Sequence, residues 1–297
     1  MIRNPVKIGT ITAAASSVLD LSIPVGHNGT ICGLFFQCFA SAGTASPIAN
    51  VKTAIDKINL SVTHKTEGGF SILNDVTPTF LYFRELFYGK ARGLAANTTG
   101  ALHYDPSAAM RGGEAAQNVR NLGTRDLSDM VLRVTFASAI TNVARIDVFA
   151  DIDYNLIADL GEHVRIGKVS NPVTVVGGDV EVSNLPRVDR KFGYEAIHIH
   201  SGGLTDMTVT KYSLVLNGND WQMRDVPKEI IDRQLSLHAR SAADAGFASI
   251  DFAKEDNPLY FLPGGMSEIK LIPTFLAGGS AAAGTVSVWY ETIKKVV

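Results

Sequence analysis

The chain has 297 residues, 46% hydrophobic and 19% charged, which is enough apolar material for packed cores and too little charge for a disordered tail. Twenty-seven basic and 29 acidic residues leave a formal net charge of -2 with no block of like charge, which excludes a strongly basic nucleic-acid binder. At about 100–200 residues per domain, the length predicts two domains.

No run approaches the roughly 18 unbroken apolar residues of a membrane span. The start, Met1-Ile2-Arg3-Asn4-Pro5-Val6-Lys7, lacks the apolar core of a secretory signal. Folding is therefore expected in the cytosol of the producing cell. Leu19, Leu21 and Ile23 alternate with polar residues and read as a strand with one buried face. Ile31 to Ala40 is an apolar run that reads as one strand and holds both cysteines, Cys32 and Cys38. Six residues along a strand span about 20 Å, whereas a disulfide needs Cα atoms within about 7 Å, so two buried thiols are expected.

Ile58, Leu60 and Val62 alternate next. Thr77 and Pro78 then form a helix start, Phe80, Phe83 and Phe87 give it one apolar face, and Gly89 suits its end. The segment Ala91 to Thr124 is long and rich in small residues, with a short strand at Leu102–Asp105; contacts with another subunit are the expectation for it. Two long strands follow, Val131–Phe136 and the alternating set Ile146, Val148, Ala150. In the second half, Ile197 and Ile199 alternate with His198 and His200, Asn217-Gly218-Asn219-Asp220 marks a turn, and Ile230, Ile231 and Leu235 mark a second helix after Pro227. Val286, Val288 and Tyr290 close the pattern.

The two helices expose an internal repeat. Leu60 corresponds to Leu214 (offset 154), Pro78 to Pro227 (149), Leu102 to Ile250 (148), Phe136 to Phe275 (139) and Val148 to Val288 (140). The stepwise drift is what loop-length differences produce. The fold class expected is all-β: two tandem eight-stranded jelly-roll β-sandwiches, a double jelly roll, each with one short helix. The first unit covers residues 1–160 and the second 161–297. A linker and opening hairpin are expected over about 155–191, with Val173–Val176 and Val180–Val182 as the hairpin.

Chemistry-bearing residues are few. His198 and His200 lie on one strand face, the spacing of a metal-binding pair, but no Glu follows them and His238 falls on the predicted helix. The competing expectation is a polar face in solvent or at a subunit contact. Asp147, Asp151 and Asp153 share one strand face near Asp159 and could hold a structural calcium, although Phe149 interrupts them. No Gly-x-Ser-x-Gly elbow, no Cys–His pair and no Walker loop is present, so no catalytic residue and no cofactor is assigned. Trp221 and Trp289 fit core or interface packing, or a sugar surface. Arg3, Lys7, Lys294 and Lys295 make both ends mildly basic and are candidates for a membrane-proximal surface.

Several strings in this sequence resemble a known family. They are Asn184-Leu185-Pro186-Arg187, then Gly193-Tyr194, then Ala196-Ile197-His198-Ile199. Leu216-Asn217-Gly218-Asn219-Asp220-Trp221 and Ser249-Ile250-Asp251-Phe252 follow, with a weaker likeness at Leu21-Ser22-Ile23-Pro24-Val25-Gly26. Together with the duplication they resemble the double jelly-roll major capsid proteins of icosahedral, membrane-containing bacteriophages, of the corticovirus type. The resemblance implies a homotrimer whose six jelly rolls form a pseudo-hexagonal capsomer, and a shell over a lipid membrane. It implies a non-enzymatic protein whose partners are itself, neighbouring trimers, and minor capsid, penton or membrane proteins of the virion. It implies a place in the outer capsid shell and no direct sequence-specific nucleic acid. The low positive charge agrees with a membrane lying between shell and genome. Two alternatives remain open at this point: a two-domain carbohydrate-binding spike or lectin-like protein, and a bicupin metalloenzyme using His198 and His200.

Overall fold

Alternation with a period of two, punctuated by Gly, Asn, Asp and Pro, folds as strands in a computed structural model. The structure describes residues 4–26, 29–89, 101–109, 120–173, 177–188, 191–200, 208–218, 220–238, 240, 247–252, 262–263, 266–276 and 284–294. The chain divides into two compact units, Met1–Ile166 and Gly167–Val297.

In the first unit, β1 (Asn4–Thr12), β9 (Arg145–Asp153), β3 (Thr30–Phe39) and β6 (Ala101–Tyr104) form one sheet in that order. The two-residue β7 (Leu122–Gly123) is attached to β3. The other sheet runs β2 (Val18–Ser22), β8 (Leu127–Phe136), β4 (Ile55–His64), β5 (Gly68–Val76). The first strand enters one sheet and the second strand the other, and the last two strands also divide between the sheets. This is the jelly-roll arrangement of eight strands. Its core is built from the inward residues of these strands, among them Leu34, Phe36, Leu60, Leu132 and Val148, all essentially inaccessible to solvent.

The second unit repeats the path. Strand β10 (Val164–Val173) starts at the end of the first unit and continues into the order β10, β18 (Gly284–Lys294), β12 (Phe192–His200), β15 (Phe247–Asp251), with β16 (Leu262–Pro263) attached to β12. The facing order is β11 (Gly178–Asp179), β17 (Ile269–Leu276), β13 (Thr208–Leu216), β14 (Asp220–Pro227). The described arm of the expected opening hairpin pairs with another strand. Strand β11 and Val182 pair with β17, through Gly178↔Phe275 and Val182↔Leu271, because the first and second strands of each jelly roll belong to opposite sheets, as β1 and β2 do. Residues 174–176 lie outside the described residues.

The pairing registers make the duplication quantitative. Leu60 pairs with Leu132, and Leu214 with Leu271, reproducing the offsets of 154 and 139 read from the sequence. Phe36 pairs with Val148, and Ile199 with Val288, which keeps the offset of 140. Two offsets shift. Leu34 pairs with Tyr104 and Ile197 with Ile250, so the counterpart of Ile250 is Tyr104 and not Leu102. Helices α2 (Pro78–Phe87) and α3 (Lys228–Leu237) correspond at an offset of 150, one residue from the Pro78–Pro227 match.

That offset of 150 holds from the turn before β5 through the end of α2. Gly68 and Gly218 both take a left-handed conformation, with φ of 82° and 87°, which a residue without a Cβ adopts at no steric cost. Asp75 and Asp225 share φ values of 55° and 48°. Asp75 donates its backbone N–H to Asn59 Oδ1 at 2.7 Å, and Asp225 donates to Ser213 Oγ at 2.9 Å. A polar side chain from the preceding strand thus holds an unfavourable backbone conformation in both units. Each kink turns the chain out of the strand and into its helix.

Helix α2 begins as its sequence predicts. Thr77 Oγ1 accepts from Phe80 N at 3.3 Å, Pro78 occupies the first turn, and Gly89 follows the end with φ of 68°. Helix α3 has no side-chain cap at Pro227. The first unit carries one helix that the periodicity does not announce, α1 (Ile48–Ala54). Its seven residues bury only Val51 and Ala54, too short a stripe to read as a 3.6-residue repeat. Cys32 and Cys38 are both buried free thiols, and burial pushes the Cys38 thiol up to about 12.

Two outcomes follow from this packing. Leu60→Ala and Leu214→Ala each remove a fully buried side chain at equivalent positions, and each lowers the stability of its own unit by about 2–5 kcal/mol, measured by denaturant unfolding. A thiol reagent labels neither cysteine in the native protein and both after unfolding, read by mass spectrometry.

Candidate interaction surface

Of the histidine pair of β12, His198 is buried and His200 is half-buried. Cross-strand register places Ser249 and Trp289 on either side of His198, and Phe247 and Ser287 on either side of His200. His198 is fully buried; its Nδ1 lies 2.8 Å from Ser249 Oγ and its Nε2 lies 3.1 Å from Glu291 Oε1. Both ring nitrogens are occupied by protein partners, which leaves neither lone pair directed at an open coordination position. His200 packs its ring on Phe247 at 4.3 Å and edge-on to Trp289 at 5.7 Å. Burial, and then the charge of Lys168, hold the His200 imidazole below its ordinary pKa. Among the described residues no three His, Cys, Asp or Glu side chains gather as a metal site.

The acidic set of β9 is also drawn into other contacts. Asp147 meets Lys7 Nζ at 2.9 Å and Arg145 Nε at 3.6 Å, and accepts from Thr10 Oγ1 at 2.7 Å. Burial raises the Asp147 carboxyl, but the Thr10 hydroxyl, Lys7 and Arg145 together outweigh it, and the net shift is downward. Asp153 is buried at the strand end and accepts from Asn155 N at 3.0 Å. Asp151 stands between them, half-buried, and Asp159 is engaged by Arg125 instead. The structure therefore joins two residues assigned separately in the sequence, Lys7 and Asp147, as an ion pair. Lys294 ends β18; Arg3 and Lys295 lie outside the described residues, as does most of the segment 91–124.

The conspicuous surface lies elsewhere, on β14 and α3 in the second unit. Seven of ten α2 residues are buried, whereas α3 buries only Ile231 and Leu235. At the offset of 150, Phe80 and Phe87 are fully buried, while their counterparts Ile230 and Leu237 are 52% and 72% exposed. In the first unit α1 and β6 pack on α2. Between β12 and β13 only residues 201–207 replace the fifteen residues that carry α1 in the first unit. Strand β14 has six exposed residues and no buried one. Trp221 projects from it at 46% exposure with the Arg224 guanidinium 5.1 Å above its ring. Trp289, by contrast, is buried.

A cleft of about 250 Å³ runs behind this edge, between Met223, Ile231, Leu235 and Ile250. It is smaller than a usual small-molecule site of about 300–1,000 Å³. The strings that carried the family resemblance are structural anchors. Leu185 is buried and the Tyr194 hydroxyl donates to Pro186 O, which ties the segment before β12 onto that strand. Asn217 Oδ1 accepts from Ser267 N and Ser267 Oγ, both at 2.9 Å, fixing the β13–β14 turn.

No protein-family model matches the sequence, and no curated protein does. Solved structures do. The major capsid protein of bacteriophage PM2 aligns over 100% of this chain and 98% of its own, with 15% identity and a TM-score of 0.74. The MCP of STIV aligns over 99% and 97%, with 12% identity and a TM-score of 0.66. The Faustovirus major capsid protein aligns over 99% and 89%, with 7% identity and a TM-score of 0.56. These neighbours are double jelly-roll proteins, and at such low identity the likeness is one of fold. This chain is a double jelly roll.

His200 carries a pH prediction. The folded His200 pKa lies below the ordinary value of 6.5, so the unfolded chain takes up a proton that the folded chain resists. Stability is unaffected well above pH 6.5 and falls as pH drops through that range. His200→Gln flattens this limb, measured by denaturant midpoints between pH 8 and pH 5. Glu291→Leu leaves a buried His198 nitrogen without its acceptor and costs about 1–3 kcal/mol, while a chelator leaves the wild-type midpoint unchanged.

Proposed function

We propose that this chain is a major capsid protein, a structural and non-enzymatic component of a virion shell. The observation that carries the reading is the match of the complete duplicated fold to major capsid proteins, covering nearly all of both chains. An arrangement shared over two whole jelly rolls is more specific than one sandwich, which serves many functions.

The finer reading is a homotrimer. Three copies of a duplicated unit present six similar domains, so threefold symmetry yields a pseudo-hexagonal tile. Such tiles cover an icosahedral shell, here over an internal lipid membrane, with neighbouring trimers and other virion proteins as partners. A net charge of -2 supports a shell that does not itself neutralise packaged phosphates. The basic ends are weak support for lipid contact, since Lys7 already pairs with Asp147. The exposed apolar side chains of α3 and β14 support burial against another molecule. Exposed Trp221 alone favours the carbohydrate-binding alternative, and its Arg224 neighbour fits a protein contact equally well.

Light scattering on a sizing column across a dilution series tests the assembly. The expected mass is near three times 31.8 kDa and resists dilution. A mass of 31.8 kDa at micromolar concentration overturns the capsomer reading, and glycan binding then becomes the next measurement.

A further inference from the structure

The two jelly rolls dispose of one sheet edge differently. In the first unit the outer edge of β5 meets the first residues of β10, running parallel, at one pair, Ile166 with Leu73. Arg165, next to Ile166, holds its guanidinium 3.9 Å over the Phe70 ring. In the second unit the counterpart of β5 is β14. The offset of 150 places Met223 where Leu73 stands and Asp220 where Phe70 stands; the ladders agree, because Leu60↔Leu73 and Val62↔Phe70 recur as Leu214↔Met223 and Leu216↔Asp220. Among the described residues no strand lies beside the outer edge of β14. A bare edge of unpaired backbone groups is a template for another strand.

The strand that meets β5 has its own duplicate. Strand β10 stands beside β18 as β1 stands beside β9, and the sequences repeat: Val164-Arg165-Ile166-Gly167 and Val6-Lys7-Ile8-Gly9. Strand β1 is the terminal strand of its sheet, with no strand paired along its outer edge among the described residues. Ile8, the counterpart of Ile166, is the residue that the β1–β9 ladder skips between Lys7 and Gly9. The substituted residues are complementary in charge. Where Arg165 lies on Phe70, the duplicated positions hold Lys7 and Asp220, a cation and a carboxylate, both exposed.

We propose that the open edge of β14 receives β1 of a second copy of this chain, parallel, with Ile8 opposite Met223 and Lys7 facing Asp220. The contact repeats between chains the pairing that Ile166 and Leu73 make within one. Each copy then offers one inserting strand and one receiving edge. Such a head-to-tail contact propagates until symmetry closes it, and closure at three rests on the capsomer reading above. The exposed Trp221, Ile230 and Leu237 flank the receiving edge and are covered on assembly.

The test is a cross-link in the full chain. Lys7→Cys and Asp220→Cys are combined in one variant, with each single variant as control. Both positions are exposed, and Asp147 keeps Arg145 and the Thr10 hydroxyl when Lys7 is replaced, so folding is retained. The native Cys32 and Cys38 are buried. A short bismaleimide, long enough for the diagonal between positions 7 and 220, is expected to turn the double variant into covalent trimer on a denaturing gel, while each single variant runs as monomer. Asp220→Lys is expected to shift the trimer toward smaller species on dilution. A wild-type trimer by light scattering, combined with no cross-linked species from the double variant, overturns the β1–β14 contact and leaves the capsomer reading standing. A monomeric wild-type chain overturns both.

Discussion

An edge strand carries a row of backbone donors and acceptors that something must satisfy, and this constraint organises the whole chain. A jelly roll is open-edged, so a protein built from two of them has several edges to cover. One is met by β10, which begins beside β5 before taking its place in the second unit. Among the described residues β1 and β14 are two of the strands that end their sheets with an unpaired outer edge.

Duplication also explains which features are shared and which have diverged. The left-handed aspartates, each held by a side chain of the preceding strand, are retained in both units. They set the bend between the last sheet strand and its helix, and a change in either would misplace the helix. The helix surfaces have diverged, with Phe80 and Phe87 enclosed and Ile230 and Leu237 exposed. Retained backbone geometry with a changed outer face is what a duplicated unit keeps when its two copies meet different surroundings.

The polar residues inside the second unit serve packing specificity. His198, Ser249 and Glu291 satisfy one another across three adjacent strands, and a one-residue slip of β12 would carry this set to the opposite face. Arg240 and Asp251, both buried and 2.7 Å apart, pin the segment after α3 to β15 in the same way. Such groups are costly when unpaired, which makes them effective determinants of register.

Much of this was legible in the residues alone. Alternation at Leu60, Val148, Ile197 and Val288 announced the strands, Thr77 with Pro78 and Gly89 announced α2, and the ordered offsets announced two copies of one unit. These are local or periodic signals, set by side-chain size and backbone preference, and they need no knowledge of neighbours. Tertiary structure decided the rest. It made His198 an interior hydrogen-bonding group, joined Lys7 to Asp147, sent β11 to β17, and left β14 with no strand along its outer edge among the described residues. Each of these depends on which strand stands next to which. That adjacency is a property of long-range pairing, so residues distant in the chain, such as His198 and Glu291, carry no sign of it in their spacing.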